Sequence, residues 1–466
     1  MLLLSFIFCI LLFIVIGALS VFKSQKTTED YLVANKNVSP WLAGLSAVAT
    51  NNSGFMFIGM IGLTYTTGLA SIWLMFGWIV GDLTVSLLTL KQIRRVSENL
   101  NIHSFGGLIA RWHGQNYIWL RRLTGLLIVI FLGAYAAAQL KAADKATSIL
   151  FGWDSTISIL LGALIILIYS IAGGIRASIW TDAAQSIVMI IGMFLLVIFG
   201  IQAVGGIEPL FYELEKVNHN YMAWFPDKSA FEVAMFILGW LFGGIAVIGQ
   251  PHIVIRFMAF KNPNHLNRVR FYYYSWFILF YGATIVVGLL TRILLPETAG
   301  FDAELALPLM ANSILPDILV GLILAAIFAA TMSTADSLVL SCSASITRDF
   351  LPNHLHSLKA TKLATAFVVI VATCIALSDN QTVFQLVLLS WALLASAFVP
   401  LILVYSLGQK PSEKLGITMV ISGISASLIW RYFELNTLIY EVMPGIICGL
   451  LIFSLAKIVT RNDATD

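Results

Sequence analysis

Apolar runs of about 20 residues, the length that carries an α-helix across the hydrocarbon core of a bilayer, recur along the whole chain between short polar connections. They predict about thirteen spans, near 2–22, 42–66, 69–90, 123–149, 156–173, 181–204, 231–250, 272–295, 314–346, 362–378, 382–406, 415–430 and 440–458. The first run lacks a basic start and a small-residue cleavage site, so it reads as retained helix rather than a removed signal.

Polar residues inside spans are costly in lipid and mark function first. The second span contains "ATNNSGFMFIG" (49–59), and the seventh, "FILGWLFGGIAVIGQPHIVIRFM" (236–258), collects four glycines before a Gln-Pro break. Glycine and asparagine accept torsions that a helix forbids, and an unwound helix frees carbonyls for cations. The two interruptions lie five spans apart. That offset predicts an all-α polytopic membrane protein with two inverted five-helix repeats, 40–204 and 230–406, preceded by an extra helix and loop (1–39) and followed by two more helices (407–466). Small-xxx-small packing would explain one glycine-rich span; two at matching repeat positions favour transport. The ninth span, "AAIFAATMSTADSLVLSCSASITRD" (325–349), puts Ser333, Thr334 and Ser337 on one helical face, and hydroxyl oxygens suit a hard cation such as sodium.

Composition agrees. The chain is 59% hydrophobic and 11% charged, against about a quarter charged in soluble domains. The 91–122 connection carries Lys91, Arg94, Arg95, Arg111, Arg121 and Arg122 against Glu98, and 252–270 carries Arg256, Lys261, Arg268 and Arg270. The alternate connections 205–229 and 294–312 are acidic. The positive-inside rule then places the N-terminus outside and the C-terminus in the cytoplasm. The net charge of +3 is loop bias and not a nucleic-acid face. Cys9, Cys342, Cys374 and Cys448 all lie in spans without metal or disulfide spacing. No Walker A, H-E-x-x-H or G-x-S-x-G string occurs, which argues against an enzyme.

Four strings, "WTDAAQ" (180–185), "GQPHIVIRFMA" (249–259), "MSTADS" (332–337) and "YEVMPGIICG" (440–449), resemble the sodium/solute symporter family, most closely its bacterial sodium/proline symporter branch. The resemblance implies a leucine-transporter-type fold in a bacterial inner membrane. It implies sodium as coupling ion, held by the backbone carbonyls of Ala49 and Asn52 from the second span and by the Ala330 carbonyl with the Ser333 and Thr334 hydroxyls from the ninth. A second cation position would use Asp182, Asp336 and Ser337; alternatively Asp182 is an interfacial acid near Arg176. Tyr135, Gly243, Val247, Gln250, Asn51 and Ser53 would line the substrate cavity.

Two departures bear on that expectation. The proline branch carries aspartate where this chain has Asn51, and this chain has Asp82 in its third span, where that branch is uncharged. Asp82 is either functional or a buried acid that is paired or neutral. That branch also has tryptophan and tyrosine at the positions of Gly243 and Val247, which predicts a larger cavity here and puts proline itself in question; Trp240 lies three residues from Gly243. Lys141 and Asp144, three apart, read as a mutual pair or as side chains reaching for the interface. The expected function is sodium-driven import of a small organic solute such as an amino acid; proton coupling through Asp82 or Asp182 and a transporter-fold sensor are the alternatives.

Overall fold

The computed structural model describes residues 1–218, 220–295, 302–378 and 383–462, so Glu297 of the acidic 294–312 connection lies outside the described residues. The principal helices are α1 (Leu2–Val21), α2 (Pro40–Asn51), α3 (Ile61–Thr67), α4 (Ile72–Asn99), α5 (Ile118–Phe151), α6 (Ser155–Val204), α7 (Ala230–Ile245), α8 (Pro251–Ala259), α9 (Leu266–Leu294), α10 (Asp317–Ser345), α11 (Leu358–Ser378), α12 (Val383–Ser406), α13 (Glu413–Tyr432) and α14 (Val442–Asn462). Among the described residues, eleven helical stretches are long and apolar enough to cross a bilayer. Thirteen is therefore an approximate count. The second and third expected spans merge into one stretch, Phe55–Asn99, although the chain turns at Gly68 (φ +75°), and the fifth is the shorter Ser155–Ile168.

Both interrupted spans are broken helices. α2 ends at Asn52, whose torsions (φ −94°, ψ 75°) leave the helical region, and the chain resumes as a π-helical turn over Phe55–Met60 that leads into α3. Breaking a helix strands backbone donors that hydrocarbon cannot satisfy. Here Gly54 N–H donates to Gln139 Oε1 at 3.0 Å and Phe55 N–H to Ser53 Oγ at 3.2 Å. α7 starts on a capping box formed by Ser229 and Glu232. It tightens into a 3-10 turn over Ala246–Gly249, breaks at Gln250, and restarts as α8 with Pro251 in its first turn, where proline's missing N–H costs nothing. Gln250 Nε2 reaches across to the carbonyl of Trp391 on α12 at 3.0 Å.

α10 is the core of the bundle and is buried without interruption from Ile323 to Ser345. α6 folds back on itself at Gly174, whose φ of +56° only glycine adopts readily. A Cβ on Gly162, before the turn, would face Met332, and one on Gly192, after it, would face Ala326, so the two halves pass α10 in opposite directions. The closest backbone approach joins α4 and α7. A Cβ on Gly81 would lie 2.0 Å from the Leu241 carbonyl oxygen, and one on Gly244 would lie 2.0 Å from that of Trp78. Apolar side chains of α1, α13 and α14, among them Phe8, Leu428 and Leu455, remain exposed, as lipid-facing helices require.

Candidate functional site

The break in α2 lies against the hydroxyl-rich middle of α10. Ser333 Oγ sits 3.1 Å from the Ala49 carbonyl oxygen and 3.2 Å from that of Ala330, and Thr334 Oγ1 donates to the Thr50 carbonyl at 3.0 Å. Ala49, Ala330 and Ser333 are thus brought to one point, with Thr334 one carbonyl further along α2. Asn52 behaves differently. Its backbone N–H and its Nδ2 both turn back to the Val48 carbonyl, which leaves Oδ1 buried and without a partner. Carbonyls and hydroxyls with no amine among them, and an orphaned amide oxygen alongside, are a donor set that fits a monovalent hard cation.

One turn along, Asp182, Asp336 and Ser337 also come together, and Arg256 of α8 stands among them. Asp182 accepts from Ser46 Oγ at 2.6 Å and lies 3.5 Å from the Arg256 guanidinium. Asp336 accepts from Ser178 at 3.1 Å and Ser337 at 3.1 Å, while Arg256 donates to Ser178 at 2.7 Å, to Ser337, and to the His252 carbonyl at 2.8 Å. The structure therefore removes Arg256 from the loop charge count: it is a wholly buried counterion. The guanidinium faces Asp182 directly and reaches Asp336 through the hydroxyls of Ser178 and Ser337, and Asp182 Oδ1 remains unpartnered. Arg176, the other candidate partner of Asp182, pairs instead with Asp30 beyond α1. Asp144, expected to pair with Lys141, accepts from Ser155 at 2.6 Å, and the neighbouring Lys145 bridges to Glu304 and Asp302.

Five of the expected cavity residues lie about an aromatic cluster between the two breaks, whereas Asn51 turns its amide to Tyr273 of α9 at 2.6 Å. Tyr135 OH donates to Ser53 Oγ at 3.2 Å, and its ring meets His252 edge-on with centroids 5.6 Å apart. Trp78 of α4 packs against Trp391 (5.1 Å), Trp240 (5.9 Å) and Phe55 (5.9 Å). Gly243 gives its carbonyl to Trp391 Nε1 at 3.0 Å, and a Cβ there would meet the rings of Trp240 and Tyr440, so aromatics from other positions crowd the space its missing side chain leaves. Val247 is buried in the adjoining 3-10 turn. Trp78 Nε1, both nitrogens of His252, Gln250 Oε1 and Gln139 Nε2 are buried without partners. So many unmet donors and acceptors beside apolar rings are what a small polar ligand would satisfy.

Two cavities open on the described surface, and one of them reaches this cluster. One, of about 590 Å³, opens on the face of the acidic 205–229 connection; Thr66, Tyr221, Trp240, Leu388, Tyr440 and Glu441 are among its walls. Trp240 and Tyr440, with ring centroids 4.9 Å apart, belong to both this vestibule and the aromatic cluster. The other, of about 170 Å³, lies among Arg111, Arg121, Arg348 and Asp349 of the basic face.

Sequence reasoning did not single out Trp78, Trp391, His252 or Tyr273. A tryptophan inside an apolar span has the same hydropathy signature whether it packs against lipid, core or ligand. His252, inside a quoted motif, was the one with a usable signal: a histidine at a helix break in the membrane.

The profile of the family described as "Sodium:solute symporter family" matches residues 31–413. The osmoregulated proline transporter OpuE of Bacillus subtilis (strain 168) is 27% identical over 458 residues, covering 95% of this chain and 92% of that protein. A sodium/proline symporter of Staphylococcus aureus (strain USA300) is 27% identical over 476 residues, covering 97% and 91%. Among solved structures, a sodium-coupled sialic acid symporter in a substrate-bound outward-open state superposes with a TM-score of 0.82 at 21% identity, covering 96% of this chain and 95% of that one. At that identity the likeness shows the fold.

Proposed function

Because this chain belongs to the sodium:solute symporter family, and so is a membrane transporter rather than an enzyme, we propose that it imports an amino-acid-like solute, proline or a close relative, by sodium-driven alternating access. The observation that carries the reading is the Ser333 hydroxyl set between the carbonyls of Ala49 and Ala330. A sodium ion there would tie the broken α2 to the central α10 and hold the break in one shape. Asn52 Oδ1 and Thr334 supply further oxygens. The solute would lie among Tyr135, Ser53, Gly243, Val247 and Gln250, within the aromatic cluster. Repeats at 40–204 and 230–406 would rock about that point in a bacterial plasma membrane, with the N-terminus outside. Proline leads the candidates because the relatives at 26–27% identity are named as proline transporters.

Purified protein in proteoliposomes is expected to accumulate labelled L-proline, or another member of an amino-acid and betaine panel, when an inward sodium gradient is imposed and not when choline replaces sodium. Uptake that ignores sodium and follows an imposed pH gradient would replace this reading with proton coupling through Asp82 or Asp182. Binding without uptake would point to a sensor.

A further inference from the structure

Asp82 lies outside every contact described so far. It sits in the middle of α4, 3% exposed, and among the described residues it forms no ion pair. Its two oxygens accept from two consecutive tyrosines of α9, Tyr273 OH at 2.7 Å and Tyr274 OH at 3.0 Å. Arg270, on the same helix, is taken up by Ser86, with Nε 3.0 Å from Ser86 Oγ. Tyr273 then continues the chain, because Asn51 Nδ2 lies 2.6 Å from its hydroxyl oxygen. Asn51 is the last residue of α2 before the break, and its Oδ1 is buried with no partner.

The direction of this chain is dictated by its end. When Asp82 is ionised its carboxylate can only accept, so both phenols then donate to it. Tyr273 has then spent its one proton and offers only a lone pair. The Asn51 amide must answer with its NH₂, which turns Oδ1 the other way, as an unmet acceptor at the unwound segment. A neutral group at position 82 would lose that direction: an amide there could donate to Tyr273, whose proton would then be free to take Asn51 Oδ1.

We propose that Asp82 is a positioning residue that acts through Tyr273 to present Asn51 Oδ1 as a ligand to the sodium ion held at the α2 break. This rests on the sodium reading above. The carboxylate itself stays on α4, one phenol away, and reaches the ion only through the Asn51 amide.

Full-length protein in detergent, titrated with sodium chloride against choline chloride and followed by its melting temperature, tests this without knowledge of the solute. Asp82→Asn, Tyr273→Phe and Asn51→Ala should each raise the sodium midpoint about tenfold, as expected for one ligand to a charged group. Asp82→Asn/Asn51→Ala should be no worse than Asn51→Ala alone, since Asp82 acts only through that amide. Asn51→Asp alone should also do badly, because two carboxylates would compete for the one proton of Tyr273. Asn51→Asp/Asp82→Asn should return the midpoint to within about threefold of the parent. A purely structural role for Asp82 predicts no such rescue. If Asp82→Asn fails to fold, Tyr273→Phe, which removes a single oxygen, carries the test. Midpoints unchanged in Asp82→Asn and Tyr273→Phe, effects of positions 82 and 51 that simply add, or absence of rescue would overturn the proposal and leave the sodium site standing. A parent protein with no sodium response would overturn both.

Discussion

At the scale of single residues, the candidate site is a set of carbonyl and hydroxyl oxygens from two helices. Ser333 and Thr334 each hold a carbonyl of α2, and an ion there would replace two hydrogen bonds by direct coordination. Ser333→Ala with Thr334→Val removes both hydroxyls at nearly constant volume. At about 1.5–3 kcal/mol per bond to a charge, the sodium requirement for solute binding should rise roughly a hundredfold or more, and sodium-free melting should also fall because two buried α2 carbonyls lose their donors, while the protein still folds and inserts. Radiolabelled binding across a sodium series reads this directly. Arg256 makes the opposite case, since it is the buried counterion of Asp182 and is linked to Asp336 through two serine hydroxyls. Arg256→Ala strands buried charge and should cost about 3–5 kcal/mol, seen as a large fall in melting temperature. Adding Asp182→Asn should return part of that fall.

At the scale of elements, packing is set where glycines let backbones touch. Gly81→Ala would drive its Cβ against the Leu241 carbonyl and Gly244→Ala against that of Trp78. Each should destabilise by about 1–3 kcal/mol or more, as overpacking does, whereas Gly282→Ala on α9, with open space at its Cβ position, should melt like the parent. The two broken helices were legible in the chain because polar and glycine residues interrupt an otherwise apolar period, and hydropathy is sensitive to that. The partnership of Asn51 with Tyr273 and Asp82 was not legible, because it joins three helices whose relative rotation no single span encodes. Arg256 misled for a related reason: a base just after a Gln-Pro break looks like a loop residue until the chain is seen to resume as helix. Merging of the second and third spans reflects a turn at Gly68 too tight to leave a polar connection.

At the scale of the whole molecule, the positive-inside rule makes an orientation that surface chemistry can check. Ser229 and Asn264 are both exposed, on opposite faces of the bundle. In intact cells, Ser229→Cys in a background whose four native cysteines are replaced should react with an impermeant thiol reagent, and Asn264→Cys should react only after the membrane is opened. The reverse labelling would invert the assignment of the faces. The glycine seam between α4 and α7 has a mechanical side as well. No side chain lies between the two backbones at Gly81 and Gly244, so α4 and α7 meet there backbone to backbone. Asp82 rides on α4 and grips α9 through its tyrosines, and Tyr273 in turn holds Asn51. The break in α7 and the break in α2 are thereby joined by one run of close contacts through α4 and α9.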